Sequence, residues 1–126
     1  MKLLNIVSSG YRATIEEQDD TIVWLTHALR NAGAEVDMLL SGAAANYPVR
    51  GQKVEPATVG DRAQKHAPDV HGQVRELCAK GTTVYAIREE LDERAVKHSD
   101  LLKEVELVGR GDLPALLLRY DHVWHW

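Results

Sequence analysis

The chain has one cysteine, Cys78, among its 126 residues. No intramolecular disulfide can form, so a disulfide-stapled scaffold is excluded. Zinc-finger spacings need paired cysteines and are therefore absent, and none of the six histidines (His27, His66, His71, His98, His122, His125) falls in an HExxH arrangement. No metal is expected. The chain also lacks G-x-G-x-x-G and G-x-x-x-x-G-K-[ST], so neither dinucleotide nor P-loop function is supported, and no cofactor is expected. Long apolar runs are missing: the first, Leu3 to Val7, is broken by Asn5, is too short for a signal-peptide core, and nothing approaches a membrane span. Excess positive charge is lacking too. A formal net charge of −4, with basic residues scattered among acids, offers no electrostatic footprint for phosphates, so a nucleic-acid partner is not expected. These absences, with the lone thiol, predict a cytoplasmic protein with no membrane partner.

What is present is one domain, residues 1–126, with 44% hydrophobic and 27% charged residues, the balance of a globular chain with a single core. Lys2 to Val7 reads as a first strand covered on both faces. A helix is predicted from Thr14, because Thr14-x-x-Glu17 has capping-box spacing and Glu16, Glu17, Asp19 and Asp20 set negative charge at its positive end. Ile22, Leu25, Leu29 and Ala32 supply its apolar stripe, and Gly33 its stop. Glu35 to Leu40 follows as a second strand, giving a βαβ unit. From Ala43 to about Ala67 the periodicity fails, apart from a helical turn at 43–47, leaving a lid, an interface segment or a mobile loop as readings. Asp69 to Lys80 is a helix carrying Val70, Val74, Leu77 and Cys78 on one face and closed by Gly81. Thr82 to Ile87 is β-branched and aromatic, hence a strand, and it opens abruptly onto a charged helical run, Arg88 to Ala95. The stretch 101–108 reads as a short helix leading into an extended segment. Asp112 caps a last helix with Pro114 in its first turn and Leu113, Leu116 and Leu117 on its apolar face. Asp121 to Trp126 is a short aromatic strand. Strands alternating with helices make this α/β with a mostly parallel sheet.

The carboxyl edge of such a sheet is where ligands and chemistry collect. Ser8-Ser9-Gly10-Tyr11-Arg12 joins a strand to a helix start, a place where backbone N–H groups hold anions and where Arg12 would add a charged fork; a plain connection is the alternative. Glu89 is a candidate acid or base, or one member of a solvated helix face. Cys78 is a candidate nucleophile on spacing that also suits a buried structural thiol. Trp124 and Trp126 share one side of the last strand with His122, and they either complete the core or enter a subunit interface.

Four stretches, LLNIVSSGYR, HALRNAGAEVDMLLSGAAA, ELCAKGTTVYAIREELDERAV and LLLRYDHVWHW, together resemble the DsrE family, the small sulfur-relay proteins that include the DsrE and TusD subunits. The resemblance runs over the whole chain and is carried by order and spacing. It implies a flavodoxin-like three-layer sandwich around about five strands, assembly into a homo-oligomeric trimer or hexamer, and a sulfur-relay protein partner. It also implies a cysteine just after the strand at 82–87, which takes up persulfide sulfur. That position falls at or beside Ile87, which has no thiol. The expectation is therefore a binding or partner subunit whose site shape persists in Gly10, Tyr11, Arg12, Asn46, Ile87, Arg88 and Glu89. A sulfurtransferase acting through Cys78, and an assembly or small-anion-binding module, are the alternatives.

Overall fold

The computed structural model describes residues 1–11 and 20–126. In chain order the elements are β1 (Lys2–Val7), α1 (Thr21–Asn31), β2 (Glu35–Leu40), a 3-10 turn (Gly42–Asn46), a hairpin of β3 (Thr58–Val59) and β4 (Arg62–Ala63), and α2 (Val70–Ala79). Then come β5 (Val84–Ile87), α3 (Arg88–Glu93), a 3-10 turn (His98–Asp100), β6 (Glu106–Val108), a third 3-10 turn (Arg110–Asp112), α4 (Leu113–Leu117) and β7 (His122–His125). Five strands form one sheet in the order β6-β5-β2-β1-β7, and every neighbouring pair is parallel. This is a flavodoxin-like three-layer arrangement, with a mostly parallel sheet between helices.

The winding determines which helix covers which face. β1, β2, β5 and β6 are laid down in one direction, and β7 returns to the far side of β1. Parallel crossovers keep one hand, so forward and backward connections cover opposite faces. On one face Val23 of α1 and Val74 and Leu77 of α2 pack on Val7, Met38, Leu40 and Val84. On the other, Leu116 and Tyr120 pack on Leu4, Leu39, Tyr85 and Ile87. Each fully buried Leu or Val contributes about 1.5–3 kcal/mol, and with both faces covered the strands are nearly continuous apolar runs.

The two buried polar side chains of the central strands are satisfied. Asn5 on β1 donates from Nδ2 to Thr26 Oγ1 of α1 at 3.0 Å and accepts from Trp126 Nε1 at 3.3 Å. Asp37 on β2 accepts from the Thr83 N–H at 2.8 Å and from the Tyr120 hydroxyl at 2.6 Å. Burial, and then the bond to Asp37, push the Tyr120 hydroxyl far above its ordinary pKa. It therefore stays a donor to the carboxylate at any physiological pH.

Several sequence expectations are corrected. Asp20 is extended (φ −69°, ψ 124°) and caps α1 through Ile22 and Val23 N–H, both at 2.9 Å, so the helix carrying the apolar residues begins at Thr21. The proposed capping box, Thr14 to Glu17, lies outside the described residues. The inward face of α1 centres on Val23 and Thr26, and Ala32 is an exposed C-cap. Thr26 can be buried because its hydroxyl donates to Ile22 O and accepts from Asn5. Asp112 makes no side-chain cap: it closes a 3-10 turn already helical from Arg110, and Gly109 is the extended residue before it. Residues 101–108 hold only β6, with the helical turn earlier at 98–100.

The stretch 43–67 is tied down at several points. Val49 bridges to Leu101, and Arg50 N donates to Asp100 O at 2.8 Å. Gln64, at 5% exposure, accepts from Ala57 N at 2.8 Å and donates to the Tyr11 hydroxyl at 3.1 Å, anchoring the hairpin to the first loop.

Asp20 also accepts from the Tyr47 hydroxyl at 2.5 Å, so one buried carboxylate caps α1 and holds the segment after β2. Asp20→Ala should lower unfolding free energy by about 2–4 kcal/mol, combining a lost cap with a lost charge-assisted bond. Tyr47→Phe should cost less, because the cap survives. Urea denaturation of both variants checks the order.

Candidate functional site

At the carboxyl edge of the sheet, β1 runs into Ser8, β2 into Ser41 and Gly42, β5 into Arg88, β6 into Gly109 and β7 into Trp126. Strand order reverses between β1 and β7, which is where the crevice of an open α/β sheet opens. Here the chain itself fills that place. Ser8 N donates to Trp126 O at 3.0 Å, and Ser8 O accepts from Ala43 N at 3.1 Å. Ser8 Oγ and His125 Nε2 lie 2.7 Å apart. Gly42 passes so close that a Cβ there would sit 2.9 Å from Ser8 O, and its φ of +52° favours glycine.

A second set of contacts belongs to α3. Glu90 reaches across to the loop after β2, where Oε2 accepts from Gly42 N at 2.8 Å and Oε1 from Ser41 Oγ at 3.2 Å. Glu89 Oε2 accepts from Arg110 N at 2.7 Å, and Arg110 pairs with Glu93 at 3.1 Å. The Glu89 carboxyl is held below its ordinary pKa first by its own backbone N–H and then by that of Arg110. At neutral pH it is an ionised acceptor whose lone pairs are engaged in bracing β5 to β6.

The residues singled out in the sequence fall into separate groups. Gly10 lies against Ala43, to whose Cβ an added methyl would come within 3.3 Å. Tyr11 and Tyr47 line a cavity of about 90 Å³ with Gln52, Pro68, Asp69, Val70 and His71. Asn46 is exposed, and its carbonyl accepts from Gln52 Nε2 at 2.8 Å. Arg12 lies outside the described residues. Ile87 is 3% exposed and packs inward, toward the α4 face, with Tyr85 and Leu116. Arg88 is exposed beside Gly109. Sequence reasoning places Ser8 and Glu90 at this edge but does not give their partners, His125 for Ser8 and the Ser41–Gly42 turn for Glu90. Their partners are 48, 49 and 117 residues away in the chain, and no local pattern marks such pairs.

Cys78 is half-buried near the end of α2, packed against the core that contains Val74 and Leu77. The turn after it leads into the start of β5, through Gly81 N to Cys78 O and Thr82 N to Leu77 O. Its thiol therefore lies at the amino-terminal edge of the sheet, opposite Ser8, Ser41 and Arg88. Burial first, and then the Glu104 carboxylate, push its pKa up to about 11. Among the described residues no group of three His, Cys, Asp or Glu side chains is placed to hold a metal ion, and no helix is long and apolar enough to cross a membrane.

The layers and strand order define the class of fold, and solved structures share it. The crystal structure of the ychN protein from E. coli superposes with a TM-score of 0.71 at 21% identity, covering 100% of both chains. A protein of unknown function from Methanobacterium thermoautotrophicum, MTH1491, gives a TM-score of 0.59 at 18% identity over 97% of this chain and 96% of its own. At these identities the likeness is one of fold. No protein-family model matches the sequence, and no curated protein matches it.

The Glu89 brace has a pH signature. Its depressed pKa means that the stabilisation is present above the ordinary value of 4.5 and is lost as pH falls through the lower, folded value. Glu89→Gln should therefore be less stable than the parent at pH 7, with the gap closing in acid as pH falls below 4.5 and through that lower folded value. Denaturation midpoints of both proteins across that range test it; a gap that persists unchanged in acid would contradict the brace.

Proposed function

We propose that this chain is a DsrE-like subunit of intracellular sulfur relay that serves as a binding or partner component and carries no sulfur itself. The observation that carries the reading is Ile87. It ends β5 at the carboxyl edge, where the DsrE resemblance places the sulfur-carrying cysteine, and its branched alkyl group is sealed into the core at 3% exposure. Such a side chain has no lone pair to accept sulfane sulfur. Cys78 does not replace it, because its thiol sits at the other edge of the sheet and stays protonated at neutral pH.

The sulfur-relay part of the reading rests on the resemblance along the whole chain, with the shared fold of the ychN protein in support. Gly10, Tyr11, Arg12, Asn46, Arg88 and Glu89 are the residues that the resemblance offers, with Ile87, for ligand or partner binding. Assembly into a trimer or hexamer belongs to the same proposal. Sulfurtransfer through Cys78 would need α2 to move and expose the thiol.

The test is to incubate the native protein with a small-molecule persulfide donor, remove the donor, and measure intact mass. The expected result is no retained sulfur, with parent and Cys78→Ser indistinguishable. Sulfur held on Cys78 of the parent and missing from the variant would overturn the non-carrier reading.

A further inference from the structure

Among the described residues the last strand, β7, pairs only with β1 and ends the sheet. Its backbone orientation follows from its hydrogen bonds. Trp126 N donates to Ile6 O, and Trp126 O accepts from Ser8 N, both at 3.0 Å. The N–H and C=O of a strand residue point to one side and alternate along the chain. Trp124 and His122 therefore also bond toward β1, in register with Asn5 and Leu3. Val123 and His125 turn theirs outward, away from the sheet.

Side chains alternate as well. His122, Trp124 and Trp126 share the face of Asn5, and the two indoles meet edge to face at 6.3 Å and 89°. Val123 and His125 share the face of Leu4 and Ile6, their register partners. None is covered: Val123 is 39%, Trp124 43% and Trp126 45% exposed. An open, apolar strand edge invites pairing and is ordinarily guarded by charge or shortness. The opposite edge is guarded in that way, since β6 has three residues and an exposed Glu106. From His122 to Trp126 there is no Asp, Glu, Lys or Arg.

We propose that β7 is a homotypic interface, at which a second copy of the chain pairs antiparallel across a two-fold axis and joins two sheets into one. The proposal stands on β7 alone and is independent of the sulfur-relay reading. Two copies that each carry a net charge of −4 repel overall, and β7 is an uncharged strip through which they can meet. The strand is also its own complement in one register. An axis normal to the sheet keeps each face on its own side, so opposed residues must come from the same face and the axis must pass by a residue. Centred on Trp124, it sets Val123 against the partner's His125. These are the outward-bonding positions, so each pair exchanges both N–H···O bonds. Trp124 then meets the partner's Trp124 as a non-hydrogen-bonded pair, and His122 meets the partner's Trp126. Centring on Val123 would oppose His125 to Asp121, whose N–H already donates to Lys2 O at 2.9 Å. Centring on His125 leaves one hydrogen-bonded pair within β7, His125 with its own copy, against two for the axis at Trp124. An unrelated extended peptide could use the same edge but would not select this register.

The register makes the test specific. At a non-hydrogen-bonded antiparallel pair the Cα atoms lie about 4.5 Å apart, within disulfide reach of about 4.4–6.8 Å. In the full chain with Cys78→Ser, Trp124→Cys should form a disulfide-linked dimer under mild oxidation. Val123→Cys and His125→Cys, each two residues out of register with its own copy, should cross-link at least about tenfold more slowly. Val123→Pro provides a second arm, because it removes an outward N–H while sparing the ladder to β1. By sedimentation the parent should be dimeric or larger, and Val123→Pro should show loss of the two-fold association with an unchanged circular dichroism spectrum. A monomeric parent at all concentrations, equal cross-linking at the three positions, or an assembly unaffected by Val123→Pro would overturn the proposal.

Discussion

An all-parallel sheet can exist only if both of its faces are covered, and that constraint organises this molecule. Each parallel step needs a crossover, each crossover keeps one hand, and the reversal after β6 is what sends α4 to the uncovered face. With α1 and α2 on one side and Leu116 and Tyr120 on the other, the central strands can be apolar throughout. The two exceptions, Asn5 and Asp37, are each bonded to the layer above or below, to Thr26 and to Tyr120. Buried polar groups of this kind cost about 1–3 kcal/mol when a partner is removed, so they lock the helices to the sheet in one registration.

The same constraint fixes where the chain can be open. Both faces are spent on packing, leaving the edges and the strand ends. At the carboxyl ends the charged run after β5 is used to brace neighbouring loops: Glu90 holds Ser41 and Gly42, and Glu89 holds Arg110. Neither carboxylate is placed as a free acid or base. Ile87 belongs to the packed face, so the end of β5 presents no nucleophile of its own. The proposed role as a binding or partner subunit follows from that combination. The lateral edge at β7 remains the least covered surface of the sheet.

The elements whose signals were local were legible in the sequence. β2 and α2 match because Val36, Met38, Leu39 and Leu40 make a short strand-length stretch ended by Ser41 and Gly42, and because Asp69 and Gly81 punctuate a helix of the right length. Gly72 shows how tight that cap is: a Cβ would lie 2.1 Å from the Asp69 carboxylate. The start of α1 is hidden in the sequence because Asp20 resembles one more acid in a first turn, whereas its bonds from the Ile22 and Val23 N–H groups make it the cap. Thr26 broke the apolar stripe for a reason that lies on another strand, in Asn5. Residues 43–67 gave no periodic signal because they are held by single contacts, Val49 to Leu101 and Gln64 to Tyr11. For the candidate site, the sheet edge could be located from the sequence. The pairing of Ser8 with His125 and the reach of Glu90 depend on which strands become neighbours, and that is a property of the winding.

The central claim is that the chain's one thiol is half-buried against the core, protonated, and takes no part at the carboxyl edge of the sheet. The most direct measurement is the rate of iodoacetamide alkylation of Cys78 in native protein as a function of pH. The account predicts slow labelling at neutral pH and a rate that rises with an apparent pKa near 11. Rapid labelling at pH 7, with an apparent pKa below the ordinary thiol value of 9.0, would contradict it.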